Sequence, residues 1–125
     1  MSGSGTVSLD SGAAETFNVD WKARAEDHGG KTSPEELIAA AHATCFSMAL
    51  SHALGQAGTP PASLSVTATV TFVPGQGITG SALTLSADVP GLGADELAEK
   101  AQTAKENCPV SKALAGVPEI VLEVG

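Results

Sequence analysis

One stretch of this chain limits the folds open to it more than any other. From Leu37 to Leu54 apolar or small side chains occupy nearly the whole circumference of a helix, among them Leu37, Ile38, Phe46, Met48, Leu50 and Leu54, with alanines between. The start is marked by Ser33 as N-cap, Pro34 at the first helical position and Glu36 placed to complete a capping box. The stop is expected at Gly55, with Gly58, Pro60 and Pro61 preventing resumption. Such a run is long enough to span a bilayer. It carries His42, Ser47, Ser51 and His52, however, and no Lys or Arg follows until Lys100, so it reads as a buried helix of a soluble domain. A helix apolar all round must be covered all round. One sheet covers one side, and a second copy of the same helix is the simplest cover for the other. The sequence therefore predicts an obligate homodimer.

The flanking segments supply the sheets. Gly5–Leu9, a turn at Asp10–Gly12, and Glu15–Arg24 with Phe17, Val19 and Trp21 on alternate positions read as a first hairpin. Ser63–Val73 alternates Leu64, Val66, Ala68, Val70 and Phe72 with Ser and Thr, and Ile78–Val89 alternates Leu83, Leu85, Ala87 and Val89. With Pro74–Gly77 between them these form a second hairpin. Asp95 to Glu106 reads as an amphipathic helix with Leu97, Ala98, Ala101 and Ala104 inward. It breaks at Cys108, because the residue before a proline is biased out of the helical region. A short helix from Pro109 to Ala115 and a strand at Glu119–Val124 complete the chain. The expected class is α+β: antiparallel sheets with a central buried cysteine-bearing helix, in a single domain over 1–125.

Composition excludes several functions. Fourteen acidic against six basic residues give a net charge of -8. That balance removes the counterion-release term behind non-specific nucleic-acid binding and opposes attachment to anionic membranes. Neither partner is expected. The first residues carry no basic region and no apolar run of a signal peptide, so the expected compartment is the cytoplasm, where both thiols rest reduced. Two cysteines without a CxxC pair exclude a zinc ribbon and a disulfide-dense scaffold.

Five residues could carry chemistry, each with a plainer alternative. Cys45 is either a reactive thiol or a small buried hydrophobe. Cys108 precedes Pro109 at a helix start, where free N–H groups lower a thiol pKa, or it merely packs a helix break. Arg24, the only arginine among six basic residues, either bridges a carboxylate and a thiolate or ends a strand in solvent. Glu35, in the first helical turn, either complements the helix dipole or serves a site with Cys45, ten residues further on. It is thus about 15 Å away along the axis, too far for contact but able to act through an arginine. His42 lies one turn before Cys45 and could pair with it, or it is a core histidine satisfied by a backbone carbonyl. No metal or cofactor is expected, since Cys45, His42 and Cys108 lack a ligand spacing.

Thr32-Ser33-Pro34-Glu35-Glu36-Leu37-Ile38-Ala39-Ala40-Ala41-His42-Ala43-Thr44-Cys45-Phe46-Ser47-Met48-Ala49-Leu50 resembles the cysteine-helix motif of the OsmC/Ohr family, and Ala104-Lys105-Glu106-Asn107-Cys108-Pro109-Val110-Ser111-Lys112-Ala113-Leu114 resembles its second-cysteine motif. Ala41-His42-Ala43 and Asn107–Ser111 are closer to the OsmC branch. The resemblance implies a thiol-dependent peroxidase that prefers organic hydroperoxides, an intertwined homodimer, and a lipoyl-type dithiol reductant. By position it implies Cys45 as peroxidatic cysteine, Cys108 as resolving cysteine, Glu35 as the glutamate of the site and Arg24 as its arginine. The chain departs from the pattern after Arg24, where Ala25-Glu26 stands in place of an aromatic, and it starts without the strand that usually precedes Gly5–Ser8. A redox sensor, or a protein binding a small hydrophobic ligand in the same interface pocket, is the alternative, and a purely structural dimer with inert cysteines a third.

Overall fold

The computed structural model describes residues 2–125. In chain order it contains β1 (Ser4–Val7), β2 (Phe17–Asp20), α1 (Trp21–Ala25), α2 (Pro34–Gln56), β3 (Ser63–Val73), β4 (Gly77–Asp88), α3 (Ala94–Asn107), α4 (Pro109–Ala113) and β5 (Glu119–Val124). The class is α+β. The elements gather into two compact units, one ending at Leu37 and one running from Ile38 to Gly125.

In the first unit β1 and β2 pair antiparallel, from Ser4 opposite Asp20 to Val7 opposite Phe17. The second strand is shorter than its alternation suggested. Asp20 ends it by turning its side chain back to accept the Ala23 N–H at 2.7 Å, the geometry of a helix N-cap. Trp21 to Ala25 therefore coil into α1, and Arg24 sits on a helix rather than at a strand end. The start of α2 keeps half of the expected capping box. Ser33 Oγ accepts from the Glu36 N–H at 3.1 Å, but the Glu36 carboxylate accepts from the Thr32 hydroxyl at 2.7 Å instead of reaching back to the Ser33 amide.

The second unit carries the core. β3 and β4 pair antiparallel along their whole length, with a bulge at Thr71/Phe72. β5 adds in parallel to the other edge of β4, giving the order β3-β4-β5. The antiparallel expectation thus holds for both hairpins, while the larger sheet is mixed. Parallel neighbours need a long crossover, and the α3–α4 segment between β4 and β5 provides it. Phe46, Leu50 and Leu54 of α2 are fully buried with Leu83 and Leu85 of β4 and Ala101 of α3. Each fully buried Leu or Phe contributes roughly 1.5–3 kcal/mol relative to exposure. In α3 the inward stripe is Leu97, Ala101 and Ala104, and Ala98 faces solvent, contrary to its expected inward place.

The helix α2 runs past Gly55 to Gln56 and is closed off at Gly58. That residue takes φ +80°, and the amides of Gly58 and Thr59 return to the carbonyls of Gly55 and Leu54. These bonds are a Schellman ending, in which glycine supplies the left-handed backbone. Within one chain only one face of α2 is covered. Ala40, Ala41, Thr44, Met48 and Ser51 lie exposed on the other, Met48 at 68%. Among the described residues α2 is the one helix long and apolar enough to cross a membrane, yet its Phe46, Leu50 and Leu54 are spent on the core.

Candidate active site

Two pairs of the expected residues come together, one in each unit. In the first, Arg24 Nε donates to Glu35 Oε1 at 2.9 Å. Glu35 is 7% exposed, and its second oxygen, Oε2, is buried without a hydrogen-bond partner. The Arg24 guanidinium also lies 5.5 Å from the centre of the Trp21 ring, within cation–π range. The α1 turn is what makes both contacts, since it brings Trp21 and Arg24 onto one side of a short helix. A mainly apolar cavity of about 380 Å³ opens beside them, lined by Val19, Trp21, Arg24 and Pro34 together with Ser2–Gly5.

In the second unit Cys45 and Cys108 lie against each other as free thiols and interact as a donor–acceptor pair. Their environments invert the simplest expectation from the sequence. Cys45, mid-helix on an apolar background, is only partly buried, whereas Cys108 is fully buried. Burial raises the Cys45 thiol above its ordinary value, the neighbouring Cys108 raises it further, and the Val110 amide offsets part of this. Burial also pushes Cys108 up. The Cys45 thiol, the amides of Ser111 and Val110 and the Ser111 hydroxyl outweigh it, however, so Cys108 ends below its ordinary value. The cause is position. Cys108 closes α3 through its N–H to Ala104 O at 2.9 Å and precedes Pro109 of α4 in an extended conformation (φ -59°, ψ 124°). Its sulfur therefore faces the open amides of a helix start, although neither closes a full capping bond.

His42 does not pair with Cys45, and no backbone carbonyl satisfies it. Its Nδ1 is 2.6 Å from Ser81 Oγ on β4, and its Nε2 is 2.8 Å from Ser111 Oγ on α4. All three residues are buried. Burial, and then the charge of Lys105 on α3, hold the imidazole below its ordinary pKa, so it is neutral. Ser81 and Ser111 were not among the residues singled out from the sequence. A signal existed: Ser81 precedes Leu83, Leu85 and Ala87 on the inward positions of β4, where a hydroxyl requires a buried partner.

Comparisons with known proteins bear on the family and the fold of the chain. The family model described as OsmC-like protein matches residues 27–123. Peroxiredoxin OsmC of Escherichia coli is 45% identical over 124 residues, covering 97% of this chain and 85% of that protein. Among solved structures, an organic hydroperoxide resistance protein OsmC from Legionella pneumophila superposes with a TM-score of 0.75 at 25% identity, covering 100% of this chain and 96% of that one. The organic hydroperoxide resistance protein OhrB of Bacillus subtilis gives 0.73 at 24% identity, covering 100% and 98%, and bears on the fold alone. With most of its length matched by the family model and nearly all of it by a curated relative, the chain belongs to the OsmC-like protein family.

Proposed function

We propose that this chain is a peroxiredoxin-like enzyme that reduces organic hydroperoxides to alcohols through Cys45 and Cys108. The observation that carries the proposal is the pair of free, mutually interacting thiols from distant segments, one partly open to solvent and the other acidified. The partly open sulfur, Cys45, meets the peroxide. Its thiolate attacks one peroxide oxygen, an S–O bond forms, the O–O bond breaks, and the alkoxide leaves and takes a proton to become the alcohol. The Cys108 thiolate then attacks the Cys45 sulfenic sulfur. An S–S bond forms, the S–O bond breaks, and hydroxide leaves to be protonated to water. An external dithiol returns both cysteines to thiols by two exchange steps. By the family resemblance that dithiol is of lipoyl type.

Cys45 has no helix terminus of its own to favour a thiolate, so a cation must supply that help. We assign this to Arg24, oriented by Glu35. Their ready-formed ion pair supports the assignment, and the apolar helix that carries Cys45 favours a hydroperoxide with a hydrocarbon tail. The exposed stripe with Met48 supports a homodimer built on α2, which Met48→Glu should weaken in a sedimentation measurement.

The test is steady-state turnover with dihydrolipoamide as reductant, comparing a bulky organic hydroperoxide with hydrogen peroxide. The expected result is a kcat/KM at least about tenfold higher for the organic substrate, the discrimination of one modest apolar pocket. Equal turnover of the two would remove the substrate assignment, and a single stoichiometric oxidation without turnover would remove the enzyme.

A further inference from the structure

His42 is a fully buried titratable side chain that the reaction above does not use. It sits between two hydroxyls, Ser81 Oγ at Nδ1 and Ser111 Oγ at Nε2, with both distances short. Ser111 lies three residues after Cys108, in the first turn of α4, and its hydroxyl is among the groups that lower the Cys108 thiol. Lys105 from α3 and the two cysteines are the titratable groups facing this cluster, and β4 contributes the Ser81 hydroxyl.

A hydroxyl has one hydrogen to give, and a neutral imidazole has one N–H. If the Ser111 hydrogen goes to the Cys108 thiolate, the Ser111 oxygen must accept from His42, which then carries its proton on Nε2. Nδ1 is left to accept from the Ser81 hydroxyl. Every donor is used once and every group is satisfied, which is the condition for burying such a chain. The opposite direction, starting from an Nδ1–H, spends the Ser111 hydrogen on His42 and leaves none for Cys108.

We propose that Ser81, His42 and Ser111 form a one-way hydrogen-bond chain that fixes His42 as its Nε2–H tautomer and aims the Ser111 hydroxyl hydrogen at Cys108, making Ser111 and His42 positioning residues for the resolving thiolate. The proposal rests on Cys108 being the resolving thiol. In that step the chain keeps Cys108 deprotonated until the S–S bond forms, and its stabilising hydrogen bond is released as the thiolate charge is lost to the disulfide. Neither residue touches substrate.

The test is nuclear magnetic resonance on the whole protein, which reaches a buried sulfur without needing it to react. The Cβ resonance of Cys108 is followed against pH, and the ring-nitrogen resonances of His42 report its tautomer. In the parent protein His42 is expected as the Nε2–H form. Ser111→Ala should move the Cys108 titration upward by about one unit, a tenfold loss of thiolate at a given pH. It should also prolong the Cys45 sulfenic acid after one equivalent of organic hydroperoxide by about the same factor. Ser111→Thr, which keeps the hydroxyl, should restore both. His42→Gln keeps an N–H near the Nε2 position and should resemble the parent, and if it fails to fold the serine pair and the tautomer still decide. A Cys108 titration unmoved in Ser111→Ala, or a parent His42 carrying its proton on Nδ1, would overturn the proposal. The two resonance measurements need no peroxide. A shifted titration in a protein that turns over no hydroperoxide would therefore establish the chain and count against the function alone.

Discussion

The two cysteine-bearing segments place the same side chain in opposite electrostatic settings. Around Cys45 the backbone is mid-helix, so every nearby amide of α2 is already committed to a carbonyl one turn back. Around Cys108 the helix has just been broken by Pro109, and the amides of Val110 and Ser111 are open. Burial opposes ionisation in both segments, yet only at Cys108 do enough donors gather to reverse it. A thiol's acidity in this fold follows the local backbone more than its depth. The deeper sulfur is the more acidic, and the sulfur open to solvent must find its stabilisation from a side chain outside its own helix.

The most severe way to break this comparison is to remove each sulfur in turn. Cys45→Ser should lower peroxide turnover by roughly a thousandfold or more, because the attacking atom is gone. Cys108→Ser should leave one rapid oxidation per subunit and then stall as a sulfenic acid, detected with a dimedone-type trap. Equal behaviour of the two variants, in either the burst or the steady state, would erase the distinction between the segments.

A smaller effect sharpens the question of where Cys45 gets its cation. Arg24→Ala should slow thiol alkylation of Cys45 about tenfold at a fixed pH below its titration, as loss of one nearby charge implies. It should also cost about 1–3 kcal/mol of stability in a urea titration, since Glu35 stays buried and loses its Oε1 donor. The figure is held low because Arg24 is 26% exposed and the pair is partly screened. Adding Glu35→Gln should recover most of the stability but none of the Cys45 reactivity. Recovery of both would make the pair structural.

How far the sequence reveals this arrangement depends on the range of the interaction. Ser63–Val73 alternates so regularly that both ends of β3 are readable, and Glu119–Val124 likewise. Pro109 announces the break in α3 because its effect on Cys108 is covalent and local. Asp20 was harder. Its cap on Ala23 competes with an alternation of Phe17, Val19 and Trp21 that favours a strand, and three residues of side-chain-to-backbone bonding decide the matter. The pairing of His42 with Ser81 and Ser111 spans 39 and 69 residues, and no local pattern encodes such partners. The parallel placement of β5 is of the same kind, being set by the crossover and not by anything within Glu119–Val124.

The mildest test uses pH and again sets the surroundings of Cys108 against the rest of the chain. His42 has a folded pKa below its unfolded value of 6.5, mainly through burial. The unfolded state then binds the proton more readily, so stability rises with pH wherever the two states differ in protonation. The contribution of a neutral His42 is complete above about pH 6.5 and declines as the pH falls below that value toward the folded pKa. Asp20, the cap of α1, is also lowered, chiefly by its backbone hydrogen bond from Ala23, but its contribution is lost only as the pH falls below 3.8. The two windows do not overlap at the upper end. Thermal melts of the parent should therefore soften first just below pH 6.5, in the unit that holds both cysteines, and His42→Gln should flatten that first decline while leaving the acid limb below pH 3.8 unchanged. A parent melting temperature constant from pH 7 down to pH 4.5 would mean that the imidazole is protonated equally in both states, and with it the contrast in buried polar support between the two cysteine segments would fall.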